Sequence, residues 1–140
     1  MGRRCRIILK YPYIILTALF VLFVWSCKQA ITGEVKVISP EEMHTFLQID
    51  DVQFIDVRTL QEHNKEFIPK SQNIDFRSPT FLEDIDKLDK NKPVLLYCRT
   101  GRRSAKCAQE LLDAGFVKIY DLEGGISKWK HDGFEVDTKL

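Results

Sequence analysis

The residue of this chain best suited to covalent chemistry is Cys98, set in the stretch Tyr97–Ser104, "YCRTGRRS". Arg99, Arg102 and Arg103 crowd one side of it, and the apolar run "KPVLLY" leads into it from the other. Gly101 lets the backbone curl tightly, so that successive amides from Cys98 to Arg103 can point inward as an anion nest continued by a helix N-terminus. A thiol at the centre of such a nest loses its proton more readily than at its ordinary value of about 8.5. The same arginines attract an anionic substrate, so the positive charge serves an anionic nucleophile and its anionic partner together.

The remaining cysteines take other roles. Cys107 falls on the apolar face of the following helix with Leu111 and reads as a core residue. Cys5 and Cys27 lie in the N-terminal segment, so no disulfide framework is indicated. There is no Cys-x-x-Cys, and His44, His63 and His131 are isolated, each expected on the solvated surface. No metal and no organic cofactor are therefore expected. Gly124 and Gly125 permit a tight turn, without the longer pattern of a phosphate-binding loop, and Trp129 is expected in the core.

The elements that must position Cys98 can be read from periodicity and from capping signals. "VKVIS" alternates as a strand, and Ser39-Pro40-Glu41-Glu42 opens a helix with Met43, Phe46 and Leu47 on its apolar face. "VQFIDV" is a strand, Thr59 starts a short helix stopped by Ile68 and Pro69, and "QNIDF" is a brief strand. A Ser78-Pro79 start precedes Phe81, Leu82, Ile85 and Leu88 at helical spacing, and "KPVLLYC" is apolar throughout, as in the middle of a sheet. A helix over Arg103 to Ala114 ending at Gly115, a strand "VKIYDL" and a last helix stopped by Gly133 complete the chain. This alternation predicts an α/β fold: an open parallel sheet with helices on both faces. Cys98 then stands just past the carboxyl end of a central strand, where ligands bind in such sheets.

The first 26 residues differ in kind. Arg3, Arg4, Arg6 and Lys10 precede an apolar stretch from Tyr11 to Trp25, which is short for a spanning helix. Val24-Trp25-Ser26-Cys27 resembles a bacterial lipoprotein box, apart from Trp25, with Cys27 as the lipidation site. A retained signal anchor is the alternative. The organisation expected is a leader over residues 1–26, a linker over 27–34 and a folded domain over 35–140, tethered to a membrane of the bacterial cell envelope outside the cytoplasm. Without the four basic leader residues the chain carries 17 basic and 20 acidic residues, a formal charge of 17 − 20 = −3. A mildly acidic domain is a poor nucleic-acid binder.

"FIDVRTLQEH", "YCRTGRRSAKCAQELLDAGF" and "LEGGISKWKHDGF", in this order, resemble the single-domain rhodaneses over Val35 to about Val136. The resemblance implies a rhodanese-like fold and a sulfurtransferase that moves sulfur from thiosulfate or a similar small anionic donor to cyanide or a thiol acceptor through a Cys98 persulfide. By the same resemblance Arg99, Thr100, Gly101, Arg102 and Arg103 form the substrate loop, with Arg99 and Arg102 touching substrate, Arg103 bracing the loop and Ser104 capping the next helix. Asp56 and Arg58 are expected as scaffold, Arg58 pairing with Glu62 at helical spacing. Related phosphatases place their arginine after five intervening residues, whereas here Arg103 follows four and Ser104 holds the phosphatase position. A noncatalytic docking or thiol redox-sensing module is the competing reading. Where the family often has Gly-His-Ile-Pro-Gly-Ala, this chain has Glu66 to Ser71, without the turn glycine and the histidine.

Overall fold

The computed structural model describes residues 32–49 and 51–139. The leader and the lipidation site expected at Cys27 lie outside them. Among the described residues no helix is long and apolar enough to cross a membrane.

The elements are β1 (Glu34–Ile38), α1 (Pro40–Phe46), β2 (Gln53–Asp56), α2 (Leu60–Lys65), β3 (Gln72–Asn73), α3 (Phe81–Ile85), β4 (Val94–Tyr97), α4 (Arg102–Asp113), β5 (Lys118–Leu122) and α5 (Gly125–His131). The strands pair in the order β1-β5-β4-β2-β3, all parallel, as the βα alternation predicts. Strand β4 is central, and every one of its four residues is buried. Its alternate side chains feed two separate cores. Val94 and Leu96 join Cys98, Cys107, Leu111 and Phe116 under α4, while Leu95 and Tyr97 join Met43, Ile126 and Trp129 under α1 and α5. Burial on both faces explains why this strand reads as an unbroken apolar run.

Local signals set the helix starts where the chemistry is clear. Ser39 with Glu42 and Thr59 with Glu62 both form reciprocal capping boxes, so α1 and α2 begin where their sequences say. Ser78 does not cap α3. Its hydroxyl accepts from the Thr80 amide in a local turn, and the helix begins only at Phe81, behind a Thr80 with no capping side chain. The strand expected over "QNIDF" is cut to Gln72–Asn73: the Ile74 amide still makes a ladder bond to Asp56 O, and past it the Phe76 amide bonds Val57 O, beyond the end of β2.

The loop lacking the family glycine keeps a left-handed residue all the same. Lys70 stands there with φ +69°, a conformation that disfavours any side chain. The loop is anchored by neighbours: Ile68 is fully buried, its amide donates to Tyr97 Oη at 3.1 Å, and Ser71 Oγ lies 2.9 Å from the same oxygen. Lys70→Gly should therefore stabilise the fold by up to about 1 kcal/mol, the strain relieved exceeding the extra chain entropy of glycine. Thermal unfolding would show a rise of a few degrees, and a fall would mean that the turn holds Lys70 without strain.

Candidate active site

The loop after β4 runs Cys98, Arg99, Thr100 and Gly101, and α4 starts at Arg102. Gly101 is the N-cap with φ +93°, so the turn uses the backbone freedom that the sequence implied. The Cys98 thiol is almost wholly buried at the base of the loop. The Gly101 amide donates to Sγ at 3.2 Å, and Ser104 Oγ lies 3.5 Å away. Burial by itself raises the pKa of this thiol. The Ser104 hydroxyl and the backbone amides of Ser104, Thr100 and Arg103 outweigh it and leave the thiol more acidic than an ordinary cysteine. The anion nest expected from the sequence is thus formed, and a sulfur occupies it.

The loop is held from below by α5. The Ile126 amide donates to Cys98 O at 2.9 Å and the Ser127 amide to Arg99 O at 3.1 Å. With these carbonyls drawn toward α5, the loop amides are free to face the sulfur. Gly125 permits the approach, since a Cβ there would meet Cys98 O at 2.4 Å. The second glycine of "LEGG" therefore does more than make a turn, a role that no spacing in the sequence could show.

Arg99, Thr100 and Arg102 are exposed around the mouth of the loop. Arg103 is not free for substrate: it grips Glu62 with two hydrogen bonds, Nη1 to Oε2 at 2.7 Å and Nη2 to Oε1 at 2.6 Å. It braces the loop against α2, as expected of it, but its partner is the glutamate that the sequence had assigned to Arg58. Arg58 pairs instead with Asp56, through Nη2 to Oδ2 at 2.6 Å and Nε to Oδ1 at 2.9 Å, and gives a further bond to Glu66 O. The physical reason is direction: Arg58 precedes α2 and turns back toward the sheet, so helical spacing does not apply to it.

Two other expectations are corrected here. Ser104 is the third residue of α4, not its cap, and donates from inside the helix to Gly101 O at 3.2 Å or to the cysteine sulfur. His63 is not on the surface but buried, with Nδ1 2.9 Å from Asp56 Oδ2, and it stacks on Phe67. Cys107 and Trp129 are core residues as expected. Cys98 and Cys107 are both free, and burial, with the charges of Asp121, Glu110 and Cys98 adding to it, pushes the Cys107 thiol well up. Among the described residues no cluster of His, Cys, Asp or Glu could hold a metal ion.

The Glu62–Arg103 pair carries a pH signature. The Arg103 guanidinium comes first in holding the Glu62 carboxyl down to about 2, against a partial rise from burial. A carboxylate lowered on folding adds stability above its unfolded value of about 4.5, and that stability is lost as pH falls toward 2. Glu62→Gln keeps a capping box with Thr59 and deletes the ion pair. After discounting for solvent at this part-exposed pair, it should lower stability at pH 7 by about 1–2 kcal/mol and flatten the acid limb. Urea unfolding at pH 7 and pH 3 checks this, and an equal loss at both would remove the ion pair as its cause.

A cleft of about 420 Å³ opens beside the loop, lined by Arg58, Glu62, Lys65, Glu66, Arg99 and Lys130 among others. Arg99 reaches it from the loop, and Lys65 and Lys130 add positive charge that the sequence gave no reason to place there. The nearby Lys130 pairs with Glu66 at 2.7 Å. A second cavity of about 310 Å³, between His44, Trp129 and Phe134, is lined by none of the loop residues.

The rhodanese-like domain family model matches residues 39–132. The chain is similar to the thiosulfate sulfurtransferase GlpE of Coxiella burnetii, 35% identical over 95 residues that cover 68% of this chain and 87% of that protein. It is also similar to a tRNA uridine(34) hydroxylase of Cytophaga hutchinsonii, 37% identical over 97 residues, 67% of this chain but 31% of that longer protein. The fold superposes on the crystal structure of a rhodanese-like domain protein from Staphylococcus aureus with a TM-score of 0.62 and 30% identity, covering 75% of this chain and 99% of that one. A match over residues 39–132, with identity of this order along nearly the whole of a relative, makes the chain a member of the rhodanese-like family.

Proposed function

We propose that the protein is a sulfurtransferase in which Cys98 carries the sulfur as a persulfide. The observation that carries this reading is the cysteine sulfur lying within a ring of backbone amides and the Ser104 hydroxyl, with its pKa lowered despite burial. The Cys98 thiolate attacks the outer sulfur of a thiosulfate-type donor. The S–S bond of the donor breaks and sulfite leaves with the electron pair. The loop amides that held the thiolate then hold the terminal sulfur of the persulfide anion. Attack by cyanide or a thiolate on that outer sulfur frees the product and restores the Cys98 thiolate. Exposed Arg99 and Arg102 draw the anionic donor to the mouth of the loop, and Arg103, committed to Glu62, keeps the loop in shape.

Phosphate transfer is disfavoured by the same geometry. The arginine that would embrace a tetrahedral phosphate is absent from its position, which Ser104 fills, and Ser104 is buried with its hydroxyl on the sulfur.

The test is the intact mass of the protein after incubation with thiosulfate and removal of the excess. A gain of one sulfur atom, reversed by cyanide, supports the reading. No adduct on a folded protein would shift weight to the docking or redox-sensing module.

A further inference from the structure

The cleft beside the Cys98 loop is larger and more charged than sulfur loading needs. Its volume of about 420 Å³ lies within the range of roughly 300–1,000 Å³ usual for organic ligands, whereas a thiosulfate-type donor is a small inorganic anion. The cleft meets the loop at Arg99. Ile126 and Ser127 also line it, and theirs are the amides that hold Cys98 O at 2.9 Å and Arg99 O at 3.1 Å.

The charges around this space do not cancel. Arg58 is answered by Asp56, Glu62 by Arg103, and Glu66 by Lys130, whose Nζ lies 2.7 Å from Oε1 and 2.9 Å from Oε2. Among the described residues Lys65 and Arg99 pair with no carboxylate, so the cleft carries a positive excess. Arg58 adds a more directional donor. Its side chain is 3% exposed, with Nε and Nη2 committed to Asp56 and to Glu66 O, while among the described residues Nη1 meets no acceptor. Nη1 is not sealed off either, since the buried side-chain atom left without a partner among those residues is Asp121 Oδ1; it gives onto the cleft that Arg58 lines. A guanidinium fixed in place with free N–H groups suits carboxylate oxygens.

Exposed Arg99 and Arg102 at the mouth already serve a small anion. Lys65 ends α2, and Lys130 lies three residues beyond Ser127 on α5. A molecule must extend away from the loop to meet both while its reactive atom stays at the sulfur. That describes an acceptor with acidic groups set apart from its thiol.

We propose that this cleft binds the sulfur acceptor, that the acceptor is an organic thiol bearing carboxylates, and that Lys65 and the Lys130–Glu66 pair set the preference for it over neutral thiols. This rests on the sulfur-transfer reading above. The acceptor thiolate bonds to the outer sulfur of the Cys98 persulfide, and the S–S bond breaks with its electron pair on Cys98 Sγ. The outer sulfur leaves as the persulfide of the acceptor, so no outside oxidant or reductant is consumed. Arg58 Nη1 and Lys65 hold the carboxylates, joined by Lys130 when its pair with Glu66 opens. With side chains 41% and 34% exposed, that pair opens at little cost.

The experiment loads the full-length chain from thiosulfate, follows the persulfide by intact mass, and times its discharge by mercaptosuccinate, a dicarboxylate thiol, and by neutral 2-mercaptoethanol. Taking each variant against the unaltered chain cancels the intrinsic reactivities of the two thiols. Lys65→Gln should lower the ratio of the mercaptosuccinate rate to the 2-mercaptoethanol rate about threefold to tenfold. Glu66→Gln, which releases Lys130, should raise it about twofold to fivefold. Both shifts should shrink between ~0.05 M and ~0.5 M salt. Ratios that do not move, or that move in the same direction in both variants, would overturn the proposal. So would loading from thiosulfate slowed in Lys65→Gln as much as discharge, since the cleft would then serve the donor. S-methylated mercaptosuccinate cannot react, and its binding, followed by NMR titration, should weaken in Lys65→Gln and tighten in Glu66→Gln. If no persulfide forms, the reaction is lost and this titration alone decides the cleft, with equal binding to all three chains counting against it.

Discussion

Replacing Cys98 with serine should abolish sulfur transfer, with a loss on the order of 10⁴-fold or more, and leave the fold intact. The side chain is almost fully buried and accepts from the Gly101 amide and the Ser104 hydroxyl, both of which a serine oxygen can accept. The exchange keeps shape and removes the polarisable nucleophile. An alcohol in the same nest stays protonated, because the amides that lower a thiol pKa cannot bring a hydroxyl within reach of neutral pH. Two measurements separate the outcomes: thiocyanate formation from thiosulfate and cyanide, and circular dichroism with urea unfolding. Lost activity on an unchanged unfolding curve supports Cys98 as nucleophile. Retained activity would sink that assignment, and lost fold would say that the sulfur packs rather than reacts. Cys107→Ser is the internal contrast, since that thiol is held protonated in the core and its change should cost stability with little direct effect on turnover.

Much of the site was legible before any coordinate, and the legible part was local. Cys98, Gly101 and the α4 start lie in one short stretch of the chain, so spacing alone could predict an amide nest. The parallel sheet was legible because strands and helices alternate, and β4 because both its faces are buried. The capping box at Thr59 and Glu62 has a sequence signature, and it formed. What could not be read were contacts set by sheet order. Asp56 lies opposite Tyr97 because β2 pairs with β4, a neighbourhood that crosses 41 positions and has no periodic signature. His63 is drawn inward for the same reason, by a carboxylate that became visible only once the strands were in place. Glu62 was given to Arg58 by helical spacing and taken by Arg103 from another element. Sequence rules describe neighbours along one element, and they are silent about which charge of another element arrives first.

Asp56 is where that silence has the largest energetic consequence. Its carboxylate, fully buried, accepts from Arg58 through the backbone amide, Nε and Nη2, from Tyr97 Oη at 2.9 Å, and lies 2.9 Å from His63 Nδ1. One residue thus ties β2 to β4, to the segment entering α2 and, through Tyr97 Oη, to the Ile68 and Ser71 turn. Burial and the Asp56 charge together hold the Tyr97 phenol protonated far above its ordinary range, so it remains a donor. Asp56→Asn changes shape little but leaves the Arg58 guanidinium, 3% exposed, without its counter-charge. Breaking a buried pair from one side costs about 3–5 kcal/mol. Against a total stability of roughly 5–15 kcal/mol that is enough to bring the domain near its unfolding threshold at ordinary temperature. The companion Asp56→Asn, Arg58→Met variant should recover a substantial part, because no unpaired charge then remains inside, although the bonds to Tyr97 and His63 stay weakened. Urea unfolding of Asp56→Asn, Arg58→Met and the double variant beside the unaltered chain measures the difference. If the double change costs as much as the sum of the separate changes, the pair is not coupled. The contribution of Asp56 would then lie in its bonds to Tyr97 and His63, which would make the β2–β4 junction, rather than the arginine, the element that sets the Cys98 loop in place.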